Sequence, residues 1–211
     1  MASRGEVSFY RDLLHKEVVD HHGHRIGAIL DLAAGPCENL QGKPAVQHLL
    51  IRQHRFTGTE PPVNSKTPLV LPWELVEALE PRHIRLSLAR AELIPSSLEA
   101  GQILLRRQIM DQQVVDCRGL KLQRVNDIAM GLSDGALYLW GMDTGISGFF
   151  RRLGDRWGFF EVFRPFHRRL QQQVIRWDFV DRLEPSRGHI RLRISRDEVR
   201  SAVRHTPDSA A

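Results

Sequence analysis

Three imidazoles fall within four positions at His21, His22 and His24, in "DHHGH", with Asp20 before them and Asp31 after. Imidazole and carboxylate at such spacing are the donors of a transition-metal site. The chain supplies its own comparison. Val18–Ala33 reads "VVDHHGHRIGAILDLA", and Val114–Ala129 reads "VVDCRGLKLQRVNDIA", 96 residues on. Asp20 and Asp116, Gly23 and Gly119, Asp31 and Asp127 recur, while the histidines become Cys117, Arg118 and Leu120. Asp and Gly suit a tight turn, through a side-chain bond to the backbone and a positive φ. Successive residues of a strand point to opposite faces, so His21 and His22 are not expected to converge on one ion. The expectation is a solvated turn and no resident metal. Asp31 and Asp127, near the end of a second strand, suit either a hard cation or a cap on backbone N–H groups. Their isolation favours the cap.

The second candidate is "GISGFFRRLGDRWGFFEVFRPFHRRLQQQ", where the first copy has the shorter, Pro-rich "RFTGTEPPVNSKT". Six of the nine phenylalanines lie between Phe149 and Phe166, and six arginines face only Asp155 and Glu161 over Phe149–Gln173. Phe149, Phe150, Arg151, Arg152, Trp157, Phe159, Phe160, Phe163, Arg164, Phe166, Arg168 and Arg169 are the candidate interaction residues. Rings interleaved with guanidinium groups suit a protein partner, a membrane surface or RNA. Two readings stand: a partner surface, or rings that close a core with solvated arginines around them. No G-x-S-x-G, H-E-x-x-H, P-loop or dinucleotide fingerprint occurs. "GMDTG", with Asp143, holds the triplet of aspartic proteases, but the first copy has no counterpart. Neither an enzyme nor a cofactor is expected.

Two further blocks repeat in the same order. "WELVEALEP" from Trp73 matches "WDFVDRLEP" from Trp177, and "IRLSLARAEL" from Ile84 matches "IRLRISRDEV" from Ile190. Each copy reads mainly as strand: "HLLIRQ", "LYLWGMD", "PLVLPW" and "QVIRW" are β-prone, and "HIRLSL" and "HIRLRI" alternate apolar with polar. Trp73 and Trp177 follow such runs and are expected to pack as core or rim. "ARAELIPSSLEAG" and "SRDEVRSAV" read as short helices after each barrel, the first linking the copies near Pro95–Gly101. The expected fold is mainly β: two small tandem barrels related by duplication, over 1–95 and 101–200. The second carries the basic-aromatic insertion at 145–173, and 201–211 is a tail.

The chain of 211 residues suits one substantial core or two small ones. Its net charge of +5 permits anionic partners. No apolar run approaches the roughly 20 residues that cross a bilayer, and the amino terminus has no apolar signal core, so a cytoplasmic location is expected. Cys37 and Cys117 sit at non-equivalent places and read as free thiols.

"VVDxxGxxIGxxxDLA", the Pro-Trp of "LPWELVEALEP" and the following "IRL" resemble the PRC-barrel domain, present twice. That family of compact β-barrels includes the photosynthetic reaction-centre H subunit and RimM-type ribosome maturation factors. "RVNDIAM…LYLWGMDTGISGFFRRLG…VIRWDFVDRLEP…IRLRISRDEV" is similar to the tandem PRC-barrel region preceding the MgtE-type and CBS regions of bacterial magnesium-transporter-like proteins. The resemblance covers roughly residues 8–200, and "RHTPDSAA" reads as the ragged start of the helical stretch that follows there. It implies a non-catalytic regulatory or scaffolding module that acts through protein contacts or self-association, in the cytoplasm or at the inner face of the membrane beside transporter machinery. The alternative is an RNA- or ribosome-associated assembly factor of the RimM kind.

Overall fold

Short runs of β-branched and leucine residues, broken every few positions by Asp, Gly or Pro, build a chain that is mainly β, with a curled, half-barrel sheet. The computed structural model describes residues 6–35, 43–53, 67–145, 174–184 and 188–204. The first half of the chain contributes β1 (Glu6–Ser8), β2 (Glu17–Val19), β3 (Arg25–Ala34), β4 (Val46–Gln53), β5 (Leu69–Pro72), β6 (Val76–Leu79) and β7 (His83–Leu86). Then follow β8 (Ile103–Leu104), α1 (Leu105–Gln108), β9 (Gln113–Val115), β10 (Lys121–Arg124) and β11 (Asp127–Ser133). Next come β12 (Ala136–Asp143), β13 (Val174–Arg176), β14 (Val180–Glu184), β15 (His189–Leu192) and α2 (Arg196–Arg204).

A seven-stranded sheet runs β5-β4-β3-β2-β7-β6, with β8 also paired to β3. Two four-stranded sheets run β1-β11-β12-β13 and β10-β9-β15-β14. Blocks one and three of the repeat meet in each copy. Val18 pairs in parallel with Ile84 and Val114 with Ile190, and all four side chains are buried. That is why "VVD" and "IRL" recur together.

The repetition also reaches residues whose identities differ. Phe9 and Leu105 are both buried, as are Leu13 and Ile109, and His15 and Asp111 share a left-handed backbone, with φ of 66° and 64°. Phe9–Leu13 forms one π-helical turn, started by Ser8, whose hydroxyl accepts the Arg11 N–H at 3.1 Å. Leu105 begins α1 at the matching place.

The described chain falls into two compact units. One comprises Met1–Asn39, Pro44–Arg107 and Met130–Leu139, and the other Leu40–Lys43, Gln108–Ala129 and Trp140–Ala211. Phe9, Ile29, Leu49, Ile51, Leu71 and Leu86 form the core of the first. Ile109, Val125, Ile128, Met142, Trp177 and Leu192 form that of the second.

One expected helix is corrected. "ARAELIPSSLEAG" makes a single 3-10 turn at Arg90–Glu92 and then runs on without helix. Pro95 has no N–H to continue a helix and keeps the residue before it extended. The Ser96 N–H instead donates to the Val70 carbonyl of β5 at 2.9 Å. "SRDEVRSAV" does form α2. Ser195 and Glu198 close a reciprocal cap, in which the Ser195 N–H donates to Glu198 Oε2 at 2.7 Å and the Glu198 N–H to Ser195 Oγ at 3.5 Å. No described helix is long and apolar enough to cross a membrane.

Candidate interaction site

The turn between β2 and β3 shows what its aspartate does. Asp20 Oδ1 accepts the His22 and His24 N–H groups at 3.0 and 2.7 Å, and Oδ2 accepts the Arg90 N–H at 3.2 Å. Asp116 repeats the pattern with Arg118, Leu120 and Arg196, at 2.9, 2.8 and 3.2 Å. Gly23 and Gly119 complete these turns at φ of 84° and 82°, where a Cβ would be strained. Each carboxylate therefore holds its own turn and ties it to the helical residues that follow β7 or β15. Burial alone would push Asp20 and Asp116 up. The N–H bonds from His24 and Arg90, and from Leu120, Arg196 and Arg118, outweigh it and hold both below the ordinary carboxylate value.

The histidines lie in the turn rather than in a strand, so strand alternation does not separate them. The His21 and His22 ring centroids lie 3.6 Å apart, and His22 and His24 5.8 Å apart. All three are exposed, and only His24 reaches the carboxylate, its Nδ1 lying 3.3 Å from Asp20 Oδ2. Among the described residues no group of three or more His, Cys, Asp or Glu is arranged to hold a metal ion.

Asp31 is a cap. Its Oδ1 accepts the Leu32 and Arg106 N–H groups at 2.8 and 2.7 Å, and its Oδ2 the Arg107 N–H at 3.2 Å, which fastens the start of α1 to β3. Burial raises its pKa against the pull of those bonds. Asp127 Oδ1 likewise accepts its following N–H, that of Ile128, at 2.7 Å. Trp73 and Trp177 are both buried, each opening a 3-10 turn. Trp73 Nε1 donates to the Gly135 carbonyl at 3.0 Å, whereas Trp177 Nε1 has no hydrogen-bond partner among the described residues.

Phe149, Phe150, Arg151, Arg152, Trp157, Phe159, Phe160, Phe163, Arg164, Phe166, Arg168 and Arg169 lie outside the described residues. The base from which they spring is described. Gly141 pairs with Arg176, Met142 with Ile175 and Asp143 with Val174, so the chain between Asp143 and Val174 leaves and returns at one point of the sheet. Asp143 and Thr144 are buried there. Asp143 Oδ1 accepts the Gly145 N–H at 2.8 Å, its carbonyl accepts the Asn126 N–H at 2.8 Å, and the Asn126 side-chain amide donates to the Gly145 carbonyl at 2.9 Å. Asp143 is thus a corner-former. Sequence comparison passes over Asn126, because its counterpart in the first copy is Leu30.

No protein-family model matches the chain, and no curated protein matches it.

Proposed function

We propose that the chain is a non-catalytic regulatory or scaffolding module made of two tandem PRC-like β-barrels, which acts through protein contacts made by Phe149–Arg169. The single observation behind this reading is the pairing of Asp143 with Val174. A segment holding six of the chain's nine phenylalanines has both its ends at one buttressed corner. Aromatic residues and arginine are the residue types enriched where binding energy concentrates. The likeness to tandem PRC-barrel regions of magnesium-transporter-like proteins gives the class, with the cytoplasm or the inner membrane face as the place of action. The recurrence of the Asp20 and Asp116 turns and of the parallel pairs supports the duplicated architecture.

The test is association of the whole chain by sedimentation, alone and with candidate transporter domains, with and without Mg²⁺. Phe163→Ser with Phe166→Ser is expected to weaken association at least tenfold while leaving the circular dichroism spectrum unchanged. Loss of the folded spectrum would make the rings core and overturn the reading. The excess of arginine in the segment gives the RimM-like alternative its own readout. Salt-dependent binding to ribosomal RNA, lost in Arg151→Glu with Arg152→Glu, would rank that alternative first.

A further inference from the structure

Three basic residues stand on elements that meet along one stretch of β3 in the first unit. The Ile29 carbonyl accepts the His15 N–H and the Ile29 N–H donates to the Lys16 carbonyl, each at 2.9 Å, which sets His15 against one side of β3. On the other side, Arg52 of β4 lies opposite Ala28. Paired strands run about 4.8 Å apart, so His15 and Arg52 flank the same short length of β3. Two residues beyond Ile29, Asp31 binds the Arg106 N–H and brings that residue over the same stretch. His15, Arg52 and Arg106 are all exposed. Partial burial first, and then the Arg106 and Arg52 charges, hold the His15 imidazole below its ordinary value, so both guanidinium groups act on it.

The acids nearby already have partners. Asp12 pairs with Arg11 at 2.9 Å and Glu17 with Arg25, and the Lys16 ammonium lies within electrostatic reach of Asp12. The Asp31 oxygens accept backbone N–H groups of Leu32, Arg106 and Arg107. Among the described residues neither Arg52 nor Arg106 enters an ion pair. We propose that His15, Arg52 and Arg106 form a binding site for a multiply charged phosphate anion of the diphosphate or polyphosphate class. Guanidinium forks match phosphate oxygens two at a time. An anion with its charge spread over linked phosphates spans cations set on separate elements, which a single carboxylate does not. The bound anion also favours the protonated imidazole, so binding takes up a proton at neutral pH.

The test is calorimetric titration of the full chain with tripolyphosphate at constant ionic strength, with citrate as the carboxylate control and the His15 ring followed by NMR. Saturable binding to the wild-type chain is expected, at least tenfold weaker in Arg52→Gln and in Arg106→Gln and unchanged in Arg82→Gln. The His15 pKa is expected to rise when the anion binds. Absence of saturable binding, equal affinity for citrate, or equal weakening in Arg82→Gln would overturn the site. Binding to phosphatidylglycerol vesicles without binding to tripolyphosphate would also overturn it, assigning the face to a membrane instead.

Discussion

Two buried indoles, Trp73 bonded to the Gly135 carbonyl and Trp177 without a partner among the described residues, make a controlled pair. Removing a buried donor from its acceptor costs about 1 kcal/mol, and removing an unpartnered one does not incur that loss. Trp73→Phe is therefore expected to destabilise the chain by about 1 kcal/mol more than Trp177→Phe, read as urea midpoints. The two turn aspartates carry a pH dependence of defined sign. Their folded pKa lies below the ordinary value of 3.8, so the stability they add is present above that value and is lost as pH falls through the folded one. Asp116→Asn is expected to flatten acid unfolding below about pH 3.8. Asp31 runs the other way: its raised folded pKa means the folded state holds the proton more tightly, so its contribution grows as pH falls through that value. Replacing His21, His22 and His24 together is expected to leave the midpoint within about 0.5 kcal/mol, as for other surface changes. The turn is held by backbone N–H groups that any residue except proline supplies.

At the scale of elements, two glycines sit where strands approach closely. A Cβ on Gly27 would lie 2.3 Å from the Arg52 carbonyl oxygen, and one on Gly141 would lie 2.6 Å from Val174 Cγ1. Gly141→Ala is expected to spread the pair of β12 and β13, at a cost of roughly 1–3 kcal/mol. Faster amide exchange at Met142 and Ile175 is the measurement. The start of α2 depends on Ser195 and Glu198, and Ser195→Ala is expected to cost about 1 kcal/mol of thermal stability. The contrast with Arg90–Glu92 is instructive. Glu92 makes a similar reach, its Oε2 accepting the Ala89 N–H at 2.8 Å, but Ala89 has no hydroxyl to answer it, and Pro95 stops the helix within a turn.

For the whole molecule, sequence similarity marks out two consecutive copies, while the compact units are discontinuous in sequence. β8, at the start of the second copy, pairs with β3 through Ala33 with Leu104 and Ala34 with Ile103. Met130–Leu139 belongs to the first unit, where Gly135 accepts the Trp73 indole. Under the proposed function, the aromatic segment and the His15–Arg52–Arg106 face are separate determinants. Phe163→Ser with Phe166→Ser is expected to weaken association without changing tripolyphosphate binding, and Arg52→Gln to do the reverse. Sedimentation and calorimetry on the same preparations distinguish them.

The sequence by itself determined the features whose physics closes within a few residues. The Asp20–Gly23 and Asp116–Gly119 turns and the Ser195–Glu198 start of α2 meet most of their backbone requirements within four residues, and the runs "HLLIRQ" and "HIRLSL" announce strands while leaving their partners open. Only the tertiary structure decided the parallel pairing of β2 with β7 and of β9 with β15, and the placing of β8 on β3. It also decided the clamp of Asn126 on Gly145 and the placing of His15, Arg52 and Arg106 along one stretch of β3. These contacts join residues distant in sequence, and many apolar strands would serve as partners on propensity alone. The pairing adopted is the one that buries Val18, Ile84, Val114 and Ile190 together with their sheets, and burial of that kind is a property of the assembled chain.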